Sequence, residues 1–294
     1  MNGKKRLMMG YLFLIPAALV FVFLIAYPVF NTVRTSFYAS RIQTIRDGAK
    51  FVGLDNYVEM FRDTDMWTSL AFTVKFTVIS VILETVIGMV CALIMNRNFR
   101  GQGLVRAMIL VPWCIPTVVS GLMWSYMFAE SYGIINYLLS AAHVIKDPVP
   151  WITDKGWAFA AITIADVWKT VPYMSLLLLS GLKTVSSDYL EAAAIDGANS
   201  VQKFFRVVLP NMKNIVLVAV MFRTISSFRI YDLIKVLTDG GPQNSTKSLT
   251  MYAMENYFTY GNLGYGAALA TLTFLVSLLI AGLFQDGVKS KMEV

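Results

Sequence analysis

The chain has 294 residues and a net charge of +7, and it is 56% hydrophobic but only 15% charged. Its mean hydropathy is +0.60. Soluble domains are about half apolar and about a quarter charged, so this lack of charge argues against a soluble globular protein. The sequence has no basic stripe with interleaved aromatic residues, which argues against nucleic-acid binding. One histidine (His143) and two cysteines in apolar runs (Cys91 and Cys114) argue against a metal centre, a disulfide framework or an integral membrane enzyme.

Six apolar stretches predict six transmembrane helices, because about 18 apolar residues suffice to cross a bilayer and lipid offers no partner for bare backbone groups. They lie near residues 7–37, 69–95, 104–128, 157–182, 213–237 and 264–285. The first exceeds the roughly 7–15 residues of a signal-peptide core, so we expect it to remain uncleaved. Pro112, Pro116 and Pro172 predict bent helices, either around a pathway or for packing alone. The predicted fold class is therefore an all-α integral membrane protein.

The order of these stretches predicts three regions. Residues 1–66 contain the first helix and an outer loop, residues 67–285 contain the other five helices, and residues 286–294 form a tail. The second region includes a polar segment, residues 186–211. Six spans place both termini on one side, and the segments on that side carry twelve Lys or Arg and five acids, against seven and ten in the three opposite loops. This bias predicts that both termini are cytoplasmic.

The polar segment carries its own start and stop signals for two short helices. Asp188 is positioned to cap the first helix, and Gly197 can take the positive φ that ends it. Asn199 or Ser200 can cap the second helix, and Pro210 is expected to stop it. An alanine-rich face would then be exposed, where small side chains allow another backbone to approach. From the residues alone, a docking surface and an ordinary interfacial loop remain equally open.

The spacing within the polar segment resembles a known signature. Glu191-Ala192-Ala193 is followed by three residues, Gly197, nine residues, and then Val207 to Pro210. This resembles the EAA signature of ATP-binding cassette (ABC) importer permeases, EAA-x3-G-x9-I-x-L-P, with Val207 in the place of isoleucine. Further stretches are similar to sugar permeases of the maltose and glycerol-3-phosphate type: Phe51–Phe61, Leu110–Trp124 and Leu237–Leu249.

The resemblance implies a type I ABC importer transmembrane domain with cytoplasmic coupling helices, in the inner membrane of a bacterium. Such a chain forms half of the pathway for a sugar. Its partners would be a second permease subunit, two ATPase subunits that bind ATP and Mg, and an extracytoplasmic solute-binding protein. The residues expected to couple it to the ATPases are Glu191, Ala192, Ala193, Asp196, Gly197, Leu209 and Pro210. No G-x4-GK[ST] phosphate loop occurs in the sequence, so we expect no cofactor or metal in this chain and no enzymatic activity of its own.

Polar residues within or near the fifth span are candidates for contact with the solute. Ionisable residues are costly inside a membrane and often mark a pathway. Those in or near the predicted spans are Glu84, Asp166, Lys169, Arg223, Arg229, Asp232 and Lys235. Of these, Arg223 and Asp232 are the candidates for contact. Ser227 and Tyr231 add a hydroxyl and an aromatic ring. The alternative is that Arg229 and Asp232, three residues apart, pair with each other. Two alternatives for the whole chain also remain. One is an importer of glycerol-3-phosphate, a polyamine or phosphate, and the more distant one is an ion-coupled secondary transporter, which would show a sequence repeat that we do not find.

Overall fold

The computed structural model describes residues 3–43 and 48–289, with side chains described for 12–43 and 48–284. The predicted tail thus lies largely outside the described residues. The chain is mainly α-helical, as the sequence predicts. The helices are α1 (Gly3–Phe21), α2 (Tyr27–Thr35), α3 (Asp55–Arg62), α4 (Thr64–Asn96), α5 (Gln102–Cys114), α6 (Thr117–Met127), α7 (Ile134–Ala141), α8 (Lys155–Leu182), α9 (Ser187–Ile195), α10 (Ser200–Lys203), α11 (Leu209–Asn211), α12 (Lys213–Phe228), α13 (Asp232–Leu237), α14 (Leu249–Met254) and α15 (Leu263–Lys289). Among the described residues, π-helical turns occur at Val22–Ala26, Phe204–Val208 and Glu255–Thr259.

Four helical stretches among the described residues are long and apolar enough to cross a membrane: Leu12–Thr35, Thr64–Asn96, Lys155–Leu182 and Leu263–Phe284. Two bent helix pairs raise the number to six if each pair is one span. The predicted third span is the pair α5 and α6, which meet at 95°. The break falls at Ile115 and Pro116, where proline removes a backbone donor.

The predicted fifth span, 213–237, is wrong in its length. Helix α12 ends at Phe228, and α13 begins only at Asp232. The other bent pair joins residues 200–211 to α12 at 73°. A sixteen-residue helix covers about 24 Å, which is shorter than the roughly 30 Å of a bilayer core.

The chain divides into two compact units, one formed by residues 1–66 and 252–274 and the other by 67–251 and 275–294. Residues 252–274 thus belong to the same unit as residues 1–66, although the sequence places them with the later helices; the N–H of Ile42, for example, donates to the carbonyl of Gly261 at 2.9 Å. In this first unit, Tyr38–Ala39 (β1) and Lys50–Phe51 (β2) pair antiparallel, with Tyr38 opposite Phe51. This strand pairing was not predicted from the sequence.

The second unit contains two apolar clusters. One is rich in aromatic rings and includes Phe76, Phe128 and Trp151. The other includes Leu178 of α8 and Met212, which are both fully buried. Since Met212 separates α11 from α12, the second cluster fixes the end of the polar segment against α8. The sequence places both cysteines among buried apolar residues. In the structure, Cys91 is half-buried, but Cys114 is exposed.

Candidate functional site

The polar segment begins with α9, whose cap lies two residues earlier than predicted. Ser186, not Asp188, is the cap, and its hydroxyl accepts a hydrogen bond from the backbone N–H of Asp188 at 3.2 Å. Serine accepts this bond because the first N–H groups of a helix have no partner within it. Asp188 instead lies in the first turn, where a carboxylate is favoured by the helix dipole.

Gly197 ends α9 in the way the sequence predicts. Its φ is +78°, a conformation that costs glycine little. The N–H of Gly197 donates to the carbonyl of Ala194 at 3.1 Å, and the N–H of Ala198 donates to that of Ala193 at 2.9 Å. These two bonds form a Schellman motif, which satisfies the last carbonyls of the helix. The turn is therefore a defined structure that hydrogen bonds hold in place, and not an irregular loop.

Asn199 caps the second helix through a reciprocal pair of bonds. Its side chain accepts from the N–H of Gln202 at 2.9 Å, and the Gln202 side chain accepts from the N–H of Asn199 at 3.0 Å. This capping box stabilises the start of α10. Contrary to the prediction, Pro210 does not stop the helix, because a π-helical turn ends at Val208 and places the proline in the first turn of α11, where its missing N–H is tolerated. The helix ends at Asn211.

Most of the predicted coupling residues face outward. Glu191, Ala192, Asp196, Gly197 and Pro210 are exposed, whereas Ala193 and Leu209 are half-buried. A Cβ placed on Gly197 would meet nothing within 4 Å.

The polar segment also carries exposed apolar side chains, which were not predicted from the sequence. Ile195 is 87% exposed, and Tyr189, Val201 and Phe205 are also more than half exposed. Exposed apolar groups that lie close together mark interaction surfaces, and helical spacing around the alanines could have indicated them. Val201 and Phe205 also line a cavity of about 470 Å³, together with residues such as Leu93 and Leu182.

A second feature of this unit is a cluster of buried charges. We call Glu84, Asp166, Lys169 and Arg223 the charge cluster; each is at most 9% exposed. The Arg223 guanidinium donates to both carboxylate oxygens of Glu84, with Nη2 at 2.6 Å from Oε1, and Nη2 lies 3.3 Å from Oδ2 of Asp166. Lys169 donates to the backbone carbonyl of Ile115 at 2.8 Å.

The structure thus separates the four candidates for solute contact into two pairs. Arg223 and Ser227 lie together in the buried region, with Nη2 of the arginine 2.9 Å from the serine hydroxyl. Tyr231 is half-buried, and Asp232 is exposed at the start of α13. Although Arg229 and Asp232 are both described, neither belongs to any ion pair found among the described residues. In the described part of the chain, no group of three or more His, Cys, Asp or Glu side chains could hold a metal ion.

Comparison with known proteins supplies the family. Residues 84–294 match the family of binding-protein-dependent transport system inner membrane components. The chain is 42% identical to the trehalose/maltose transport system permease protein of Thermococcus litoralis, over 92% of this chain and 90% of that one. It is 38% identical to the trehalose transport system permease protein of Mycobacterium tuberculosis, over 96% and 88%. It is 35% identical to the sulfoquinovosyl glycerol transport system permease protein of Agrobacterium fabrum, over 97% and 91%.

Solved structures agree on the fold. A chain of a bacterial ABC transporter involved in the import of the acidic polysaccharide alginate matches with a TM-score of 0.84 and 18% identity, over 98% of this chain and 97% of that one. The alginate transporter in complex with its pentasaccharide-bound periplasmic protein matches with a TM-score of 0.82 and 19% identity, over 95% and 93%. The family model that matches residues 84–294, together with relatives that are 35% to 42% identical over nearly the whole chain, shows that the chain belongs to the family of binding-protein-dependent transport system inner membrane components.

Proposed function

We propose that this chain is a permease subunit of an ABC importer that forms half of the pathway for a sugar. An extracytoplasmic solute-binding protein would deliver the sugar, a second permease subunit would complete the pathway, and two separate ATPase subunits would drive transport. The relatives that are 35% to 42% identical are named for the transport of trehalose/maltose, trehalose and sulfoquinovosyl glycerol, which supports a carbohydrate as the solute.

The observation that carries the proposal is the polar segment, which is exposed and has a turn fixed by hydrogen bonds. A Schellman motif and a capping box fix the angle between α9 and the helix that follows. That surface presents the Glu191 carboxylate together with exposed apolar groups such as Ile195. A carboxylate can form a charge-assisted hydrogen bond with an arginine or lysine of a partner, and apolar groups supply area for a stable contact. We assign this surface to the ATPase subunits.

ATP and Mg then belong to the ATPase subunits, because this chain has no phosphate loop of the G-x4-GK[ST] type. The polar segment must accordingly face the cytoplasm, with both termini on the same side. Ala194 is exposed, so a cysteine placed there reports the orientation after Cys91 and Cys114 are replaced by serine. We expect Ala194→Cys to react with a membrane-impermeant maleimide only in inverted vesicles. Reaction in intact cells would contradict this topology.

Removal of the Glu191 carboxylate tests the assignment of the surface. We expect Glu191→Ala to reduce both the amount of ATPase that co-purifies with the permease in detergent and the uptake of solute, while membrane insertion stays normal. Asp188→Asn removes the same charge one turn earlier on α9 and serves as the control, which should leave co-purification unchanged. Undiminished co-purification of Glu191→Ala would count against the proposal.

The kind of solute is tested by uptake. The complete complex in proteoliposomes, with its binding protein, should accumulate radiolabelled trehalose or maltose when ATP is inside. Glycerol-3-phosphate, spermidine and phosphate are the competing solutes, and accumulation of one of these instead would contradict a sugar. Uptake by the permease alone, without ATPase subunits, would indicate a secondary transporter.

Tyr231 and Asp232 remain candidates for contact with the solute, because their side chains are at least partly exposed. Tyr231 offers part of a ring and a hydroxyl, and Asp232 offers an exposed carboxylate. Such groups suit the hydroxyls and apolar faces of a sugar. We expect Asp232→Asn and Tyr231→Phe to change the solute concentration that gives half-maximal uptake, without a change in ATPase co-purification.

A further inference from the structure

The charge cluster lies within the helices proposed to span the membrane, yet its charges balance. Counted at their formal charges, Glu84 and Asp166 are negative, and Lys169 and Arg223 are positive. Charges are expensive inside a bilayer unless they are paired or line a hydrated cavity. Glu84 is fully buried, and Arg223 is only 7% exposed. Such burial is unusual for an ion pair whose two side chains only neutralise each other at a surface.

One guanidinium joins three helices. Arg223 extends from α12 and donates to both oxygens of Glu84, which belongs to α4. The same group reaches Asp166 of α8 at 3.3 Å. Thr170, one turn further along α8, donates to Oε1 of Glu84 at 2.7 Å. Two N–H groups of arginine on one carboxylate fix direction as well as distance.

Lys169 brings a fourth segment to the same place. Its ammonium donates to the carbonyl of Ile115 at 2.8 Å, and Ile115 is the residue that follows α5, at the 95° bend. A carbonyl at the end of a helix has no partner within it. The lysine supplies that partner, so the bend between α5 and α6 is bound to α8.

The polar segment connects directly to Arg223. Only Met212 separates α11 from α12, and it is fully buried. Arg223 lies ten residues after Lys213, or about 15 Å along α12 at the rise of an α-helix. A tilt or rotation applied to α12 at Met212 must therefore move the guanidinium relative to its two carboxylate partners. Charge-assisted bonds in a low dielectric resist such separation, so α4 and α8 would have to follow.

We propose that Arg223 is a positioning residue that transmits movement of the polar segment to α4 and α8. This inference rests on the proposed function and refines it. It also assigns Arg223 a role other than contact with the solute, because Nε and Nη2 of its guanidinium are engaged by Glu84, Asp166 and Ser227. The charge cluster then belongs to the mechanism of coupling rather than to the choice of solute.

The test compares variants that change the net charge of the charge cluster with variants that keep it. Glu84→Gln or Arg223→Gln alone leaves one uncompensated buried charge, so each should lower the thermal stability of the complex. The double variant E84Q/R223Q leaves Asp166 and Lys169, which balance, and should recover most of that stability. The double variant still lacks the guanidinium that joins the helices. We expect it to assemble with the ATPase but to import at least tenfold fewer solute molecules per ATP hydrolysed.

Arg223→Lys gives a second, independent variant. It keeps the positive charge but loses the planar fork that reaches two carboxylates, so we expect normal assembly and the same tenfold loss in solute imported per ATP. Lys235→Gln is the control, because it breaks an exposed ion pair of 2.5 Å with Asp239 in the same unit. This control should leave the ratio unchanged.

The experiment uses the complete complex in proteoliposomes, with radiolabelled trehalose and maltose as solutes. If E84Q/R223Q regains normal transport per ATP, or fails to assemble, the cluster is only structural and the inference is wrong. If Arg223→Lys instead shifts the half-maximal solute concentration, Arg223 contacts solute and the inference is again wrong. These results differ from failure of the proposed function, in which Glu191→Ala leaves ATPase attachment intact.

Discussion

Substitution of Gly197 tests whether the backbone turn in the polar segment is required for coupling. Its φ is +78°, and a Cβ at this position would meet nothing within 4 Å. The cost of a side chain is therefore conformational rather than steric. For a residue other than glycine this left-handed conformation costs roughly 1–2 kcal/mol, which corresponds to a change of about 5- to 30-fold in an equilibrium.

The assay is equilibrium binding of the purified ATPase to the permease pair in nanodiscs. We expect Gly197→Ala to weaken binding by up to about 30-fold, and Gly197→Val to weaken it further because a β-branched residue tolerates positive φ least. Gly197→Asn should bind almost normally, since asparagine often adopts this conformation. Gly197→Asp has the same shape as Gly197→Asn but adds a charge beside Asp196, so we expect weaker binding than for asparagine.

Two results would refute this reasoning. Normal ATPase binding by both Gly197→Ala and Gly197→Val would show that the turn is not part of the interface. Equal loss in Gly197→Asn and Gly197→Val would show that the bare surface at this position is required, rather than its backbone conformation.

Three further predictions concern other hydrogen bonds. Asn199→Ala removes the capping box and should cost about 1 kcal/mol, seen as faster proteolysis of the second helix, whereas Asn199→Ser should not. Burial raises the pKa of the Asp63 carboxyl, but hydrogen bonds from the hydroxyls of Tyr252 and Tyr265, with two backbone N–H groups, outweigh it and lower the pKa below its usual 3.8. A lowered pKa gives stability that is present above pH 4 and lost as the pH falls through the folded pKa. The rate of hydrogen exchange at residues 252–265, corrected for its intrinsic pH dependence, should therefore rise below pH 4 in the native chain. The same rise should be absent in Asp63→Asn. Asn136→Ala leaves a buried indole N–H and a backbone N–H without their acceptor, and should lower the thermal stability in detergent by about 1–3 kcal/mol for each group.

The polar segment shows how much local sequence can specify. The turn at Gly197 is predicted, and Asn199 is one of the two residues predicted to cap the second helix, because each feature depends on residues within five positions of it. The predicted cap at Asp188 was wrong by two residues, since serine and aspartate both suit that role and only the backbone selects Ser186. The Glu191 surface itself remains a prediction until ATPase binding is measured.

The charge cluster shows the limit of that reasoning. The sequence marks Glu84, Asp166, Lys169 and Arg223 as costly residues within apolar stretches, but it cannot pair them. The partners of Arg223 lie 139 and 57 residues away in the chain. Their contact depends on the packing of α4, α8 and α12. A prediction based on neighbours three residues apart instead selected Arg229 and Asp232, which form no ion pair with each other in the described structure.

The sequence by itself determined that the chain is a helical membrane protein with a structured polar segment, because apolar length, proline position and capping are local properties. Proline in the third span predicts a bend, but tertiary structure alone decided that its angle is 95°, that α12 ends at Phe228, and that four buried charges meet. The physical reason is that these features depend on bonds between distant helices, whose free energy no single stretch of sequence contains.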